Sequence, residues 1–257
     1  MKRITLALSA VAFGLVIIAS QIPTQKLGLD SLPLKKNPAR SDAPDFAAMV
    51  DVAAKKDQFF SYLRPKVEQQ NAQIAEKREF LLQLQRKLQQ KRSLSNADRD
   101  ELTELATQYK VQLRSIDAAA LTLLLARVDV VPVDMVLVQA ANESGWGSSR
   151  FAIEGNNYFG QWCFSQGCGL VPNARSSGLN HEVARFTDTD ASIASYLHNL
   201  NTNAAYKELR EVRNWLRQAD QPVTAADLIP SLTAYSERKN EYVDELLQML
   251  KHNERLL

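Results

Sequence analysis

The sequence predicts a mainly α-helical (α+β) protein with one small β-hairpin. Three observations support this fold class. Apolar residues recur at helical spacing within residues 45–112. Two strongly apolar helices follow on either side of Pro132, and further helical patterns run from about residue 187 to 256. Glycine-rich, turn-forming sequence is concentrated in residues 155–180, which leaves room for only a short hairpin around 169–186.

The size and charge of the chain limit its class. It has 257 residues, 45% of them hydrophobic, which is enough for one sizeable core. The 31 basic side chains nearly balance the 29 acidic ones, and no P-loop or RNA-binding motif is present. We therefore expect no nucleic acid partner.

The N-terminus resembles an export segment. Lys2 and Arg3 precede seventeen uncharged residues, ITLALSAVAFGLVIIAS. Residues 1–20 are interpreted either as a cleaved signal peptide or as an uncleaved membrane anchor. In both cases the remaining chain is expected in the periplasm, free or anchored to the inner membrane. Residues 21–44 contain four prolines and are predicted to be a linker.

Residues 45–112 are predicted to form a helical extension that packs on the domain comprising residues 113–257. A free coiled-coil interface is the alternative, but three heptads with mixed intermediate positions favour internal packing. Pro65 suits the first turn of the long helix, and Ser-Asn-Ala-Asp at 95–98 can cap the next one. The heptad positions are Val67, Ile74, Leu81 and Leu88.

The chain has two cysteines, Cys163 and Cys168. In an oxidising compartment they can form a disulfide that contributes about 2 kcal/mol by closing a short loop. Two reduced structural thiols are the alternative. The three histidines are scattered, so we expect no metal site and no cofactor.

A single carboxylate, Glu143, stands near the end of an apolar helix and just before a Gly-Trp-Gly turn. The negative end of the helix dipole and burial beside apolar neighbours both disfavour ionisation. A carboxyl group that stays protonated suits a general acid that protonates a glycosidic oxygen. Alternatively, Glu143 accepts a structural hydrogen bond from the backbone or from Arg150.

Aromatic and amide side chains are dense in the twenty residues that follow. Aromatic rings suit the apolar faces of sugars, and amides suit hydroxyl and N-acetyl groups. This pattern predicts a sugar-binding surface, although aromatic residues at this density also suit a core. The predicted substrate-binding residues are Trp146, Asn156, Asn157, Tyr158, Phe159 and Trp162.

The stretch ANESGWGSSRFAIEGNNYFGQW, residues 141–162, resembles the signature of the glucosaminidase family of peptidoglycan hydrolases. That signature is an E-S-G-W-G-x-S turn followed by N-N-x-F-G, and its acid falls on Glu143. Here Gln-Trp replaces the usual Ile-Lys after the last glycine. This departure, the segment CFSQGCGLVP and the N-terminal helices resemble the bacterial Bax-like branch of the family. The resemblance covers about residues 115–250.

The resemblance implies a lysozyme-like fold and cleavage of the β-1,4 bond that follows N-acetylglucosamine in peptidoglycan. It implies a catalytic role for Tyr235, although Ser236 and Glu237 replace the family's Thr-Asp pair. A packing role for Tyr235 is the alternative. The expected partners are glycan strands and, if residues 1–20 are uncleaved, a membrane.

The family's second acid lies on the hairpin, where Glu182 is the nearest match. Retaining chemistry places two carboxyls about 5 Å apart, and inverting chemistry places them about 6.5–9.5 Å apart. Glu154, Asp188 and Asp190 are the other candidates, and Glu182 could instead pair with Arg185. Assistance by the substrate's own N-acetyl group would need no second acid.

Two other functions remain open from the sequence. A lytic transglycosylase also uses a helix-end acid, but its usual Gly-Leu-Met-Gln continuation is absent. A non-catalytic peptidoglycan-binding protein would keep the groove without cutting the strand.

Overall fold

The computed structural model describes residues 42–172 and 181–257. The predicted export segment and nearly all of the predicted linker lie outside these residues. No helix in the described residues is long and apolar enough to cross a membrane. The helices are α1 Val52–Gln89, α2 Asn96–Gln108, α3 Ala118–Arg127, α4 Val133–Ser144, α5 Arg150–Gly155, α6 Thr189–Thr202, α7 Lys207–Gln218, α8 Ala225–Leu228 and α9 Asn240–His252. Short 3-10 turns cover Ala204–Tyr206 and Ile229–Leu232.

The β structure is a small antiparallel sheet, which confirms the predicted fold class. The strands are β1 Trp162–Cys163, β2 Gly169–Leu170 and β3 Glu182–Ala184, in the order β1-β3-β2. Val183 pairs with Trp162 on one side and with Leu170 on the other. Cys163 and Cys168 form a disulfide that closes the connection between β1 and β2.

Helix α1 begins earlier than the sequence predicted. Asp51 caps its N-terminus by accepting hydrogen bonds from the backbone of Ala53 and Ala54, and Pro65 lies inside the helix. The ring of Pro65 removes one backbone hydrogen bond. Apolar residues on both sides of Pro65 are buried in the core, and this packing holds the helix together across the missing bond. The buried residues of α1 are Phe59, Phe60, Leu63, Val67, Ile74, Leu81 and Leu84.

Helix α4 is the centre of the core. Seven consecutive residues, 135–141, have no exposed surface. A helix that is buried all round must be apolar all round or have its polar groups paired. Helices α1, α8 and α9 pack against it, and α3 and α6 pack on α1. The long extension helix is thus part of the wall that buries α4.

A buried charge cluster ties α1 to the remainder of the domain. Asp129, only 2% exposed, lies within 3.4 Å of the guanidinium of Arg78 on α1 and within 3.1 Å of that of Arg217 on α7. Arg213, also buried, donates to the carbonyls of Asp129 and Val130 at 3.1 Å. Burial lowers the pKa of Arg213 to about 10. Removing Asp129 would leave the buried guanidinium of Arg213 without its carboxylate partner, which is strongly destabilising.

The turn after α4 is closed by the segment that precedes α1. Gly147 has φ +73°, and a Cβ atom at this position would collide with the ring of Phe46. Phe46 is itself buried and makes an edge contact with Phe59 at 5.2 Å. Glycine is therefore required here both for its backbone conformation and for space.

We expect Gly147→Ala to lower the free energy of unfolding by about 2–4 kcal/mol, because a strained φ adds to an overpacked contact. Gly167→Ala is the matched control, since Gly167 has φ +79° and no atom lies within 4 Å of the place that a Cβ atom would occupy. That control should cost only about 1 kcal/mol. Denaturant titration measures both, and equal losses would show that Phe46 contributes nothing.

Candidate functional site

Helix α4 ends where the sequence predicts, and Glu143 lies in its last turn. Gly145 terminates the helix in the left-handed conformation, with φ 56°. The buried hydroxyl of Ser144 donates to the carbonyl of Ala140 at 2.6 Å and accepts from the N–H of Gly147 at 2.8 Å. These bonds fix the direction in which the chain leaves the helix directly after Glu143.

Glu143 lines an open groove with a volume of about 990 Å³. This is at the upper end of the ~300–1,000 Å³ typical of small-ligand sites. Its walls come from the turn after Asn157, from α6, from the segment before α9, and from the end of α2. The polar and aromatic lining residues include Gln161, Trp162, Phe164, His198, Asn199, Tyr206, Tyr235, Glu237, Arg238 and Lys110.

The Glu143 carboxyl is half-buried, and burial raises its pKa above the ordinary value. A hydrogen bond from the hydroxyl of Tyr242 and the charge of Arg238 act in the opposite direction and are weaker. Arg238 is itself paired with Glu245 at 2.6 Å. The alternative partner considered from sequence, Arg150, instead donates to the carbonyl of Val171 at 2.7 Å.

Tyr242 belongs to a buried chain of hydrogen bonds that the sequence did not reveal. The amide nitrogen of Gln139 donates to the Tyr242 hydroxyl at 3.0 Å, and the amide oxygen of Gln139 accepts from the hydroxyl of Tyr196. Gln139 is four residues before Glu143 on α4, so both side chains project from one face of the helix. These hydrogen bonds orient the Tyr242 hydroxyl that contacts Glu143. The four-residue spacing between Gln139 and Glu143 was the one sign of this network in the sequence.

The two asparagines of the N-N-Y-F-G turn were predicted to bind substrate, but the structure turns both away from the groove. Asn157 is 1% exposed. Its amide nitrogen donates to the carbonyls of Gln161 and Ala184, and its amide oxygen accepts from the N–H of Phe159 and Gln161. It therefore shapes the turn and joins it to β3.

Asn156 and Tyr158 are also buried and do not line the groove, so their predicted contact with sugar is corrected to a structural role, whereas Phe159 does line the groove. Asn156 takes a left-handed conformation after α5 and donates to the carbonyls of Phe186 and Thr187. The ring of Phe159 stacks on Tyr196 at 4.0 Å and lies at the floor of the groove. The turn needs buried side chains that pair with backbone hydrogen-bonding groups, and its asparagines meet that need instead of facing a sugar.

The same turn brings a glycine against the acid. A Cβ atom at Gly160 would lie 3.5 Å from Oε2 of Glu143, and Gly160 has φ +63°. The absence of a side chain keeps the carboxylate open to the groove. Gln161, at the position where the sequence departs from the family signature, donates to the carbonyl of Ser192 at 3.2 Å and accepts from the Ser195 hydroxyl at 3.0 Å. This residue therefore fastens the turn to α6.

The predicted aromatic residues divide into two groups. Trp146 packs edge-on against Phe59 at 5.6 Å and Phe60 at 5.1 Å, and it lines a different cavity from Glu143. Its predicted sugar contact is therefore corrected to packing against α1. Trp162 is 58% exposed and lines the groove. Phe164, which was not predicted from the sequence, is 75% exposed beside it.

Tyr235 lines the groove, but its hydroxyl donates to the carbonyl of Phe159 at 2.8 Å. Its ring lies parallel to that of Tyr242 at 5.5 Å. Tyr235 thus supports the floor of the groove, and Tyr242, seven residues later, supplies the hydroxyl that reaches Glu143.

Glu182 is not brought to the groove. It is 6% exposed, and its carboxylate accepts from the N–H of Gly167 at 3.0 Å and of Gly169 at 2.8 Å. These bonds stabilise the disulfide-closed loop, which is a structural role in place of the predicted catalytic one. The other candidates, Glu154, Asp188 and Asp190, pair with Arg150, cap α6 and pair with Lys66, respectively.

A mainly helical domain with a half-buried acid at a helix end, a small sheet beside it and an open groove is the architecture of a lysozyme-like glucosaminidase domain. Residues 118–255 match the family "Glucosaminidase: Mannosyl-glycoprotein endo-beta-N-acetylglucosaminidase". The chain belongs to this family.

Within the family the chain is Bax-like. It is 35% identical over 224 residues to "Protein bax" of Escherichia coli (strain K12), which covers 86% of this chain and 78% of that protein. This alignment is longer than the family match, so it includes part of the N-terminal helices. No solved structure matches the chain significantly.

We expect Tyr242→Phe to raise the pKa of Glu143, because the lost hydrogen bond favours the charged carboxylate. If Glu143 acts while protonated, the alkaline limb of the kcat/KM profile on a glycan substrate should move to higher pH. Tyr235→Phe removes a neighbouring hydroxyl that bonds to a carbonyl, and should leave the limb in place. A shift to lower pH in Tyr242→Phe would contradict this assignment.

Proposed function

We propose that this protein is a peptidoglycan hydrolase that cleaves the β-1,4 bond following N-acetylglucosamine, with Glu143 as the general acid. The observation that carries the proposal is the position of Glu143, half-buried at a helix end and facing a groove large enough for several sugar rings. Membership of the glucosaminidase family supports a glycan substrate.

The raised pKa gives Glu143 the property that the reaction requires. A general acid must be protonated before the reaction and must release its proton to the leaving oxygen as the bond breaks. Burial keeps the proton on the carboxyl, and the Tyr242 hydroxyl stabilises the carboxylate that forms after transfer. Both effects come from groups that the fold holds in place, so little reorganisation accompanies the proton transfer.

The residues around Glu143 favour assistance by the N-acetyl group of the substrate. Within residues 42–172 and 181–257, the other carboxylate that lines the groove is Glu237, which is exposed. A buried second carboxylate facing Glu143 would favour an enzyme nucleophile or a general base. Because Glu182 accepts hydrogen bonds from two backbone amides away from the groove, we propose that the acetamido oxygen of the substrate acts as the nucleophile.

The exposed rings of Trp162 and Phe164 are proposed to stack on the apolar faces of sugar rings. They stand on either side of Cys163, whose disulfide limits the movement of the loop that carries them. Trp162 is backed by the ring of His181, stacked at 4.1 Å. A platform that is ordered before binding loses less entropy when the glycan binds.

We propose a location outside the cytoplasm, in the periplasm or anchored to the inner membrane facing it. The apolar N-terminal segment and the Cys163–Cys168 disulfide support this, since disulfides persist in oxidising compartments. Peptidoglycan is in the same compartment.

Glu143→Gln should reduce the release of fragments from purified sacculi by about 10²- to 10⁴-fold, the usual contribution of a general acid. Pull-down on sacculi should persist, because the amide has nearly the shape of the acid. Glu154→Gln is the matched control, an exposed glutamate outside the groove whose ion pair with Arg150 is long, at 3.9 Å.

Mass analysis of the fragments tests the choice of bond at the same time. A reducing N-acetylglucosamine end is expected. A 1,6-anhydro end would identify a lytic transglycosylase instead. Wild-type protein that binds sacculi without releasing fragments would show a non-catalytic binding protein.

A further inference from the structure

The end of the groove formed by α6 is completed by the N-terminal extension. Lys110, two residues after the end of α2, lines the groove together with His198, Asn199 and Asn203. The family match begins only at residue 118, so Lys110 lies outside the part of the chain that defines the family. The extension therefore contributes a charged side chain to the glycan-binding surface.

The backbone that carries Lys110 is held by an arginine. Lys110 has φ +57°, a conformation that is uncommon for a residue with a side chain. The guanidinium of Arg127 donates to the carbonyls of Tyr109 at 2.8 Å, Lys110 at 3.2 Å and Thr202 at 3.3 Å. One side chain on α3 thereby joins the end of α2 to the end of α6, and the position of Lys110 in the groove is fixed.

The ring of Tyr109, the residue before Lys110, is also held in place. Tyr109 is 3% exposed and makes an edge contact with the ring of His198 at 5.8 Å. His198 therefore contacts the extension and also lines the groove. The corner is a built surface in which the imidazole of His198 and the amides of Asn199 and Asn203 have defined neighbours.

The charge at this corner is positive, and no residue that the structure describes serves as its counterion. The Lys110 side chain is exposed and forms no ion pair with the described acidic residues. Burial lowers the pKa of His198, and the nearby ammonium groups of Lys110 and Lys77 lower it further. No carboxylate is among the groups that shift it. An anionic group would gain from entering this corner, because it would meet an unpaired ammonium.

We propose that Lys110, with His198 and Asn199 beside it, binds a carboxylate carried by the glycan strand, and so selects peptidoglycan over neutral polymers of N-acetylglucosamine. This inference rests on the proposed function, since it assigns the strand to the same groove. Peptidoglycan offers carboxylates from two sources. They are the lactyl group of muramic acid in strands stripped of peptide, and the peptide stems in intact strands.

The test compares the binding of three ligands by calorimetry in a Glu143→Gln background, which prevents turnover. The ligands are neutral chitin oligomers, peptide-free glycan oligomers with lactyl carboxylates, and stem-bearing glycan oligomers. The variants are Lys110→Gln and Lys110→Arg. Lys91→Gln is the matched control, an exposed lysine that also follows a helix with φ +57° and lies outside the groove.

We expect Lys110→Gln to weaken binding of a carboxylate-bearing ligand by about 5- to 20-fold, with chitin oligomers unaffected. Lys110→Arg should restore most of the affinity, and Lys91→Gln should bind like the parent. A loss with the peptide-free strands assigns the lactyl carboxylate, and a loss confined to stem-bearing strands assigns the stem. Either result supports the proposal, and the affinity should also fall as salt increases.

The proposal is overturned if Lys110→Gln binds charged ligands as well as the parent does, or if it loses neutral and charged ligands equally. The outcome is independent of catalysis, because binding is measured. Protein that discriminates by charge but cuts no strand would contradict the proposed hydrolase and leave the carboxylate site standing. Protein that cuts chitin and peptidoglycan equally well, whether or not Lys110 is present, would support the proposed hydrolase and contradict the carboxylate site.

Discussion

The burial of α4 along almost its whole length is the constraint from which the candidate site follows. Residues 135–141 have no exposed surface, and only the last turn reaches the groove. A carboxyl group placed there is partly removed from water by the same packing that holds the helix. The raised pKa of Glu143 is therefore a consequence of the core, with no special charged neighbour required to produce it.

The polar residues around α4 meet a second demand, which is that buried polar groups need partners. Gln139 bonds Tyr196 and Tyr242, Ser144 bonds the backbone of its own turn, and Asn157 uses both ends of its amide on four backbone groups. Together these side chains determine where the acid, the glycine beside it and the aromatic platform lie. Most side chains of the motif in this chain thus stabilise a rigid turn, and few of them face the groove.

The elements that periodicity and turn chemistry determine were predictable from the sequence. The break at Pro132, the helix end at Gly145, the Ser95 cap and the short hairpin are all present. The predicted start of α1 was wrong, because tertiary packing overrides the preference of Pro65 for the first turn of a helix. Of the predicted site residues, Glu143, Phe159, Trp162 and Tyr235 line the groove, but residue type alone cannot separate a buried aromatic ring from an exposed one. Lys110 comes to the groove, and Tyr242 to the carboxyl of Glu143, from distant segments of the chain, and only the three-dimensional fold shows it.

The charge cluster at Asp129 determines where this chain can be divided into fragments. Arg78 comes from the long N-terminal helix, while Asp129 and Arg217 come from the half of the chain that carries the family match. Seven apolar residues of that helix are buried in the common core. A fragment cut at the family boundary would expose this surface to water and remove one of the arginines that neutralise the buried Asp129. The half of the chain that carries the family match therefore depends on α1 to cover its core and to complete its charge cluster.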